Sequence, residues 1–348
     1  MTTERSNADA STGASGRPAQ PEPYLRGCVW PAGPGAPYPR ANPADFSRLP
    51  VDTWGTATLP VSVRFEFAGD AEAEAVELAY TTRTDDFGYR GPGAGRTFAL
   101  YAGDECIAEE PAVLGEGTVR LSLGGGSRRP ERFTVYLPEG MKPTVTSIDA
   151  VGGTIAPAPP QPRWLCYGDS IAEGWIASGP AGAWPAIAGR RYGLDVVNLG
   201  YAGAARGEVV SAEHVAGVPA DVISISHGTN CWTRVPHSVD QMRANTAAFL
   251  DVVRQGHPGT PVVVASPVLR PDAEATANRL GATLVDLRRA IEDVVQGRID
   301  AGDSRLTLVT GDGVLTAEHL PDGIHPGDEG HVILAETFGS AVATASKG

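Results

Sequence analysis

Residues 163–175 read RWLCYGDSIAEGW, and this stretch decides the fold of the second half of the chain. Its residues 164–167 form a short continuous apolar run, which is typical of a strand buried on both faces. Gly168-Asp169-Ser170 ends the run, and a helical pattern follows. The stretch therefore predicts a buried strand that leads directly into a helix, with a serine on the turn between them.

The same alternation of short apolar runs and helical patterns continues to the end of the chain, which indicates an α/β fold over 163–348. Strands that each lead into a helix form a parallel sheet, and such sheets bind ligands beyond the carboxyl ends of their strands. The predicted strands are 164–167, 196–199, 222–226, 262–266 and 306–309. The predicted helices are 182–192, 205–216, 240–256, 275–297 and 328–345.

The first half of the chain has a different pattern, in which apolar residues alternate with polar ones. Val61, Val63, Phe65 and Phe67 form the first such row, and Gly- and Asp-rich turns separate it from several more. With no helical segment among them, these rows predict an antiparallel β-sandwich over 46–155, of jelly-roll or carbohydrate-binding-module type. The segment APAPPQP (156–162) predicts a stiff linker, and the aperiodic residues 1–45 predict a disordered or extended leader.

Composition excludes several classes of function. The 348 residues carry a net charge of −13, which argues against broad attraction to nucleic acid or to an anionic membrane. No apolar run approaches the roughly 18 residues of a spanning helix, and the N-terminus lacks the apolar core of a secretory signal. The four cysteines are widely separated, which suits a reducing compartment. We therefore expect a cytoplasmic protein with neither nucleic-acid nor membrane partners.

Polar residues that could carry chemistry recur at the predicted strand ends. They are Ser170 after the first strand, Gly203 after the second, Asn230 after the third, and Asp322 with His325 just before the last helix. Each has a plain structural explanation when taken alone: a helix cap, a tight turn, an Asx turn and a surface His–Asp pair. Together they fall, in order, on one rim of the predicted sheet. A serine there could act as a nucleophile, with His325 as its base.

These residues resemble the sequence blocks of the GDSL, or SGNH, hydrolase family of esterases and acyltransferases, over about 163–345. The resemblance implies a flavodoxin-like α/β/α domain with Ser170 as nucleophile and Asp322 and His325 completing a catalytic triad. It also implies an oxyanion hole formed by Ser170, Gly203 and Asn230. The chain departs from many members at Cys231, where they have Asp, and at Ala202, where they have Ser. A sandwich ahead of the catalytic domain resembles a bacterial branch that includes carbohydrate deacetylases and acyltransferases of polyketide antibiotics.

Three functions are consistent with this pattern. The first is a serine-dependent ester hydrolase that removes short acyl or acetyl groups from a sugar or natural product through an acyl-enzyme. The second is an acyltransferase with the same triad and an alcohol acceptor. The third is a non-catalytic glycan-binding protein that would use sandwich aromatics, namely Trp54, Tyr80, Phe87, Tyr89 and Tyr101. In the first two cases Trp175, His227 and Trp232 are predicted to bind a small-molecule ester.

No cofactor or metal is expected from the motifs. Neither a GxGxxG segment nor a phosphate-binding Walker loop follows any predicted strand. A metal-dependent hydrolase is a rival because the stretch 319–331 is crowded with candidate ligands: His319, Asp322, His325, Asp328, Glu329 and His331. The spacing disfavours it, since there is no HExxH pair on one helix face. Oligomeric state is not predicted.

Overall fold

The computed structural model describes residues 20–85, 95–124 and 131–348, and in these the chain forms antiparallel β-sheets followed by an α/β unit. The elements of the first part are β1 (Leu25–Arg26), α1 (Val51–Ala57), β2 (Arg64–Gly69), β3 (Ala75–Thr82), β4 (Thr97–Ala102), β5 (Glu105–Pro111), β6 (Gly115–Ser122), β7 (Phe133–Tyr136), β8 (Thr144–Val151) and β9 (Ile155–Pro157).

Two antiparallel sheets share one apolar core. The larger has the order β1-β2-β7-β4-β5, with β9 also paired to β2, and the smaller has the order β6-β3-β8. In the larger sheet the rings of Phe67 and Phe133 stack with their centroids 5.4 Å apart. They belong to the same core as Leu78 and Ile148 of the smaller sheet. Because the inner faces of both sheets meet in this core, the predicted antiparallel sandwich is confirmed.

Strand β2 is buried on both faces, whereas its alternating sequence predicts one buried face. The polar side carries Arg64 and Glu66, which are 2% and 3% exposed. Arg64 pairs with Glu66 at 2.6 Å and with Asp195 of the α/β unit at 2.8 Å. The polar face of this strand is therefore the face that contacts the second half of the chain.

The second half is a five-stranded sheet in the order β11-β10-β12-β13-β14, with all neighbours parallel. Its elements are β10 (Arg163–Gly168), α2 (Ser170–Glu173), α3 (Trp184–Tyr192), β11 (Asp195–Gly200), α4 (Val209–Gly217), β12 (Val222–Ser226), α5 (Asn230–Thr233), α6 (Val239–Gly256), β13 (Val262–Ala265), α7 (Leu284–Asp300), β14 (Leu306–Val309), α8 (Asp328–Leu334), a π-helical turn (Ala335–Gly339) and α9 (Ser340–Ala345). The predicted α/β architecture and all five of its strands are confirmed.

Helices cover both faces of this sheet, which explains the continuous apolar strands. Along β10, Leu165 and Tyr167 belong to a core shared with α4, α6 and α7, while Trp164 and Cys166 belong to a core shared with α3, α8 and α9. Successive side chains of a strand point to opposite faces, so each must be apolar. Of these helices α7 departs most from its predicted range: it begins at Leu284 and not at 275, after a capping box between Thr283 and Asp286.

The predicted leader is structured from residue 20 onward. Strand β1 pairs with β2, and Ala36 and Ala41 lie in the core of the α/β unit. Leu49, Trp54 and Ala57, from the range predicted to be sandwich, lie in the same core. The segment lacks periodicity because it runs across both halves without forming a long regular element. Helix α1, within the range predicted to be all strand, belongs to this segment, and β9 includes residues 156 and 157 of the predicted linker. Residues 1–19 lie outside the described part of the chain.

Among the helices of the described residues, none combines the length and apolar character needed to cross a bilayer. The four cysteines are free thiols.

Candidate active site

Ser170 is the first residue of the one-turn helix α2, just past the carboxyl end of β10, which lies between β11 and β12 in the sheet. Asp169 caps this helix, because its carboxylate accepts a hydrogen bond of 3.0 Å from the N–H of Ile171. Burial raises the pKa of the Asp169 carboxyl to about 6, although hydrogen bonds from backbone N–H groups and from the Thr229 hydroxyl oppose the shift. The short cap and turn hold the Ser170 hydroxyl at the rim of the sheet.

A chain of hydrogen bonds joins the three predicted triad residues. The Nε2 of His325 lies 2.9 Å from the Oγ of Ser170, and its Nδ1 lies 2.7 Å from an oxygen of Asp322. The other Asp322 oxygen accepts from the backbone N–H groups of Ile324, at 2.9 Å, and His325, at 2.7 Å. An ionised Asp322 holds the proton on Nδ1, so Nε2 is left to accept the proton of the serine hydroxyl.

The pKa shifts of His325 and Asp322 favour the protonation states that a catalytic base and its carboxylate need at neutral pH. Burial lowers the pKa of His325 below its usual value, the nearby charge of Arg270 lowers it further, and Asp322 opposes both effects. Burial raises the pKa of Asp322, but hydrogen bonds from the ring and backbone of His325 outweigh that effect, and its pKa lies below the usual value. The histidine is therefore neutral and the aspartate ionised, as a base and its supporting carboxylate must be.

The two other predicted residues of the oxyanion hole lie beside Ser170. Gly203 has a φ of +69°, a conformation that favours glycine, and lies in the loop after β11. Asn230 is the first residue of α5, and its side-chain amide donates to the carbonyl of Ala204, which fixes its orientation. Ser170, Gly203, Asn230 and His325 all line one cavity of about 420 Å³. The geometry thus brings together the serine, its base and both predicted donor residues.

Of the three predicted substrate-binding residues, the structure places only Trp175 in this cavity, with its ring centroid 5.5 Å from that of His325. His227 does not line this cavity: its side chain is 3% exposed, and its ring packs against Tyr167 of β10 and Phe249 of α6. Trp232 is not among the lining residues either. Its ring contacts Arg270, a residue that does line the cavity and whose guanidinium lies 4.9 Å from the ring centroid.

Sequence reasoning missed two arginines of the cavity, Arg234 and Arg270. A single arginine outside any periodic pattern or motif gives no signal of its position. Both follow recognisable elements, since Arg234 comes directly after α5 and Arg270 five residues after β13. Only the fold shows that the two loops meet at Ser170.

A buried ion pair stabilises the segments that carry Gly203 and Ser170, and sequence reasoning missed this pair as well. Arg40 of the N-terminal segment pairs with Glu173 of α2 at 3.3 Å, and both side chains are 0% exposed. Glu173 accepts a hydrogen bond of 2.8 Å from the N–H of Ala202, and Arg40 donates to the carbonyl of Gly200. The pair therefore ties the loop that carries Gly203 to the helix that begins with Ser170.

The histidines of the 319–331 stretch have separate partners. His325 contacts Ser170, while the Nδ1 of His319 accepts from the N–H of Thr316 at 3.0 Å. The ring of His331 is buried, with Nδ1 3.3 Å from the N–H of Trp184. Within the described ranges, no three His, Cys, Asp or Glu side chains are grouped so that they could hold a metal ion.

Three of the aromatic residues on which the glycan-binding alternative depends, Trp54, Tyr80 and Tyr101, lie within the described residues and do not form one exposed surface. Trp54 and Tyr80 are 8% and 3% exposed and belong to two different cores. Tyr101 packs against Arg190, whose guanidinium lies 4.1 Å from its ring centroid. Phe87 and Tyr89 lie outside the described residues.

Comparison with known proteins supports the same interpretation. Residues 166–333 match the GDSL-like Lipase/Acylhydrolase family. A search of curated protein sequences found no significant match. The salicylyl-acyltransferase SsfX3 from a tetracycline biosynthetic pathway is 24% identical with a TM-score of 0.78, over 92% of this chain and 95% of that one.

Two further solved structures have a similar fold. A protein described as a GDSL-like lipase, from Bacteroides ovatus ATCC 8483, is 20% identical with a TM-score of 0.73, over 93% of this chain and 95% of that one. A family two carbohydrate esterase from Clostridium thermocellum, in complex with cellohexaose, is 15% identical with a TM-score of 0.58, over 81% and 91%. At these identities the likeness is one of fold. Over residues 166–333 the α/β unit therefore belongs to the GDSL/SGNH hydrolase family, and an additional antiparallel β domain precedes it.

Proposed function

We propose that this protein is a serine-dependent ester hydrolase that acts through an acyl-enzyme on short acyl esters, such as acetyl esters, of a sugar or natural product. The observation that carries the proposal is the continuous hydrogen-bonded chain from Ser170 through His325 to Asp322, at 2.9 and 2.7 Å, beside an open cavity. A protein that only binds glycans needs no such chain. The acetyl-ester assignment is supported by carbohydrate esterases of the same fold.

In the proposed mechanism Ser170 Oγ attacks the ester carbonyl while the Nε2 of His325 takes its proton. Asp322 holds the ring and stabilises the imidazolium without accepting that proton. The imidazolium then protonates the departing alcohol, and an acyl group remains on Ser170. Water, activated by the same histidine, attacks the acyl-enzyme, releases the acid and restores the serine.

Negative charge that develops on the carbonyl oxygen is met by donors already in place. These are the backbone N–H groups of Ser170 and Gly203 and the side-chain amide of Asn230. Because the amide is held by its hydrogen bond to Ala204, it needs no reorganisation during the reaction. Removal of one such donor typically lowers kcat by about 10²- to 10³-fold.

An acyltransferase is the second candidate, supported by the likeness in fold, over 92% of the chain, to a salicylyl-acyltransferase. Transfer uses the same acyl-enzyme, with an acceptor alcohol in place of water. The two reactions differ in how well the site excludes water and holds the acceptor. The cytoplasmic location expected from the sequence stays a prediction.

The test is covalent labelling with a fluorophosphonate, read by intact-mass spectrometry, together with turnover of 4-nitrophenyl acetate. We expect one adduct and measurable turnover in the wild-type protein, and neither in Ser170→Ala. Ser304→Ala is the matched control, because Ser304 is exposed and precedes β14 at the opposite edge of the sheet. An adduct or undiminished turnover in Ser170→Ala would exclude the proposed nucleophile. Added alcohols that capture the acyl group in preference to water would favour the transferase.

A further inference from the structure

The wall of the catalytic cavity is positively charged, although the protein as a whole is acidic. The chain has 28 basic and 41 acidic residues, yet the described residues that line this cavity include Arg234 and Arg270 and no aspartate or glutamate. Positive charge around a cavity raises the local concentration of anionic ligands.

Arg234 lies directly against the loop after β11 that contains Ala202 and Gly203, here called the oxyanion loop. It follows α5, and its backbone N–H donates to the carbonyl of Asn230 at 3.1 Å. Its guanidinium covers Gly203 so closely that a Cβ added to that glycine would lie 3.3 Å from the Cζ of Arg234. The positively charged group is therefore adjacent to the place where the scissile carbonyl of an ester would bind.

The charge of Arg234 is not neutralised by the protein. The side chain is exposed, and it forms no ion pair with any acidic residue in the described ranges. The less exposed Arg254 and Arg206, in contrast, pair with Asp303 and Asp52, each at 2.8 Å. The planar donors of Arg234 are thus available to a bound ligand, and their geometry matches a carboxylate or phosphate.

Arg270 supplies a second, fixed charge. Its side chain is 10% exposed, and it donates to Asp272 at 2.9 Å through Nε and at 3.2 Å through Nη2. The ring of Trp232 holds its guanidinium from one side, at 4.9 Å. Arg270 is therefore rigid and partly neutralised, which suits it to orient a ligand that Arg234 binds directly.

We infer that the ester accepted by this site carries an anionic group, a carboxylate or its phosphate or sulfate equivalent, which binds Arg234 beside the reacting carbonyl. The inference rests on the proposed function and names the substrate class of the same site. The anionic group belongs either to the acyl part or to the alcohol part of the ester, and the substrates of the test distinguish the two.

The test compares kcat/KM for two matched pairs of esters on the full-length protein. The acyl pair is 4-nitrophenyl acetate and 4-nitrophenyl hemisuccinate, and the alcohol pair is phenyl acetate and 4-acetoxybenzoate. We expect the anionic member of one pair to be preferred by about 10-fold over its neutral partner, which is the typical effect of a charge-assisted hydrogen bond. Because Arg234 is exposed, an ionic strength of about 0.5 M should reduce this preference.

The preference should depend on Arg234. In Arg234→Gln we expect the ratio of anionic to neutral kcat/KM to fall about 10-fold, and in Arg234→Lys, which keeps the charge without the planar donors, to fall less. Arg305→Gln is the matched control and should leave the ratio and the activity unchanged. It removes the same charge from an exposed residue just before β14, at the opposite edge of the sheet.

Two results overturn the inference and can be told apart. If Ser170 is labelled by the fluorophosphonate but neither anionic ester is preferred, or if Arg234→Gln slows both members of a pair equally, the anionic substrate class is wrong and the nucleophile stands. If Ser170 is not labelled and none of the four esters is turned over, the proposed function fails, and the inference fails with it.

Discussion

Replacement of Arg40 by methionine should damage both stability and catalysis, although this residue lies in a segment that looks like a leader in the sequence. Arg40 is 1% exposed and donates to the carbonyls of Leu59 at 2.6 Å and Thr56 at 2.7 Å. It also pairs with Glu173, the last residue of the helix that begins with Ser170. Methionine is of similar length but provides none of these donors.

The size of the effect follows from burial. Both side chains of the pair are 0% exposed, so the substitution leaves the Glu173 charge in the interior without its arginine partner. Breaking a buried pair in this way costs about 3–5 kcal/mol, a large part of the roughly 5–15 kcal/mol by which a protein is stable. Because Glu173 also holds the N–H of Ala202, the oxyanion loop should shift. We expect kcat to fall about 10- to 100-fold, where the upper value is the effect of losing one oxyanion donor completely. The change in KM should be smaller.

The assay is urea unfolding followed by tryptophan fluorescence, together with 4-nitrophenyl acetate kinetics on the folded protein. Arg48→Met is the matched control in the same segment, since the Arg48 side chain is 50% exposed and its ion pairs should contribute no more than about 1 kcal/mol. Arg40→Lys keeps the charge and should recover part of both losses. The reasoning is refuted if Arg40→Met matches the Arg48→Met control in unfolding free energy and in kcat.

Three further predictions concern the site itself. Asn230→Ala should lower kcat on 4-nitrophenyl acetate about 10²- to 10³-fold with the fold intact by circular dichroism, and a loss below 10-fold would argue against its role as an oxyanion donor. His325 must be neutral to act as the base, and burial lowers its pKa, so the acidic limb of the kcat/KM profile should lie below pH 6.5. Arg270→Gln removes a charge that lowers this pKa and should move the limb to higher pH. An unmoved limb would contradict the assignment of His325 as the base. Burial raises the pKa of Asp169 from 3.8 to about 6, so the folded protein binds this proton more tightly than the unfolded chain and loses stability as pH rises through that range. Asp169→Asn should therefore raise Tm relative to wild type more at pH 8 than at pH 5, and a difference independent of pH would show that the buried carboxylate is not destabilising.

The parts of the fold that sequence predicts are those set by short stretches of chain. Each strand of the α/β sheet is a mainly apolar run bounded by turn residues, and Ser170, Gly203 and Asn230 each follow such a run within four residues. The start of α7 could have been predicted as well. Thr283 and Asp286 have the spacing of a capping box, and the structure contains both of its hydrogen bonds.

The parts that sequence does not predict depend on contacts between distant residues. Arg64 has the alternation expected of an exposed strand residue, and only the arrival of Asp195 from the other half of the chain buries it. The direction in which a side chain points in the fold is equally difficult to predict from sequence. Trp175 and His227 both lie near a motif, yet Trp175 lines the cavity and His227 packs against the rings of Tyr167 and Phe249.

The N-terminal segment also has a consequence for how the protein acquires its structure in time. Arg40 and Glu173 are 133 residues apart, and Arg64 and Asp195 are 131 residues apart. Contacts between such distant residues close long loops, which slows folding. During synthesis Trp54 leaves the ribosome well before β10 to β14, whose core it joins. The apolar side of α1 therefore has no packing partner in that core until those strands are synthesised. Refolding from urea should accordingly recover strand signal before esterase activity, with the last phase set by docking of this segment.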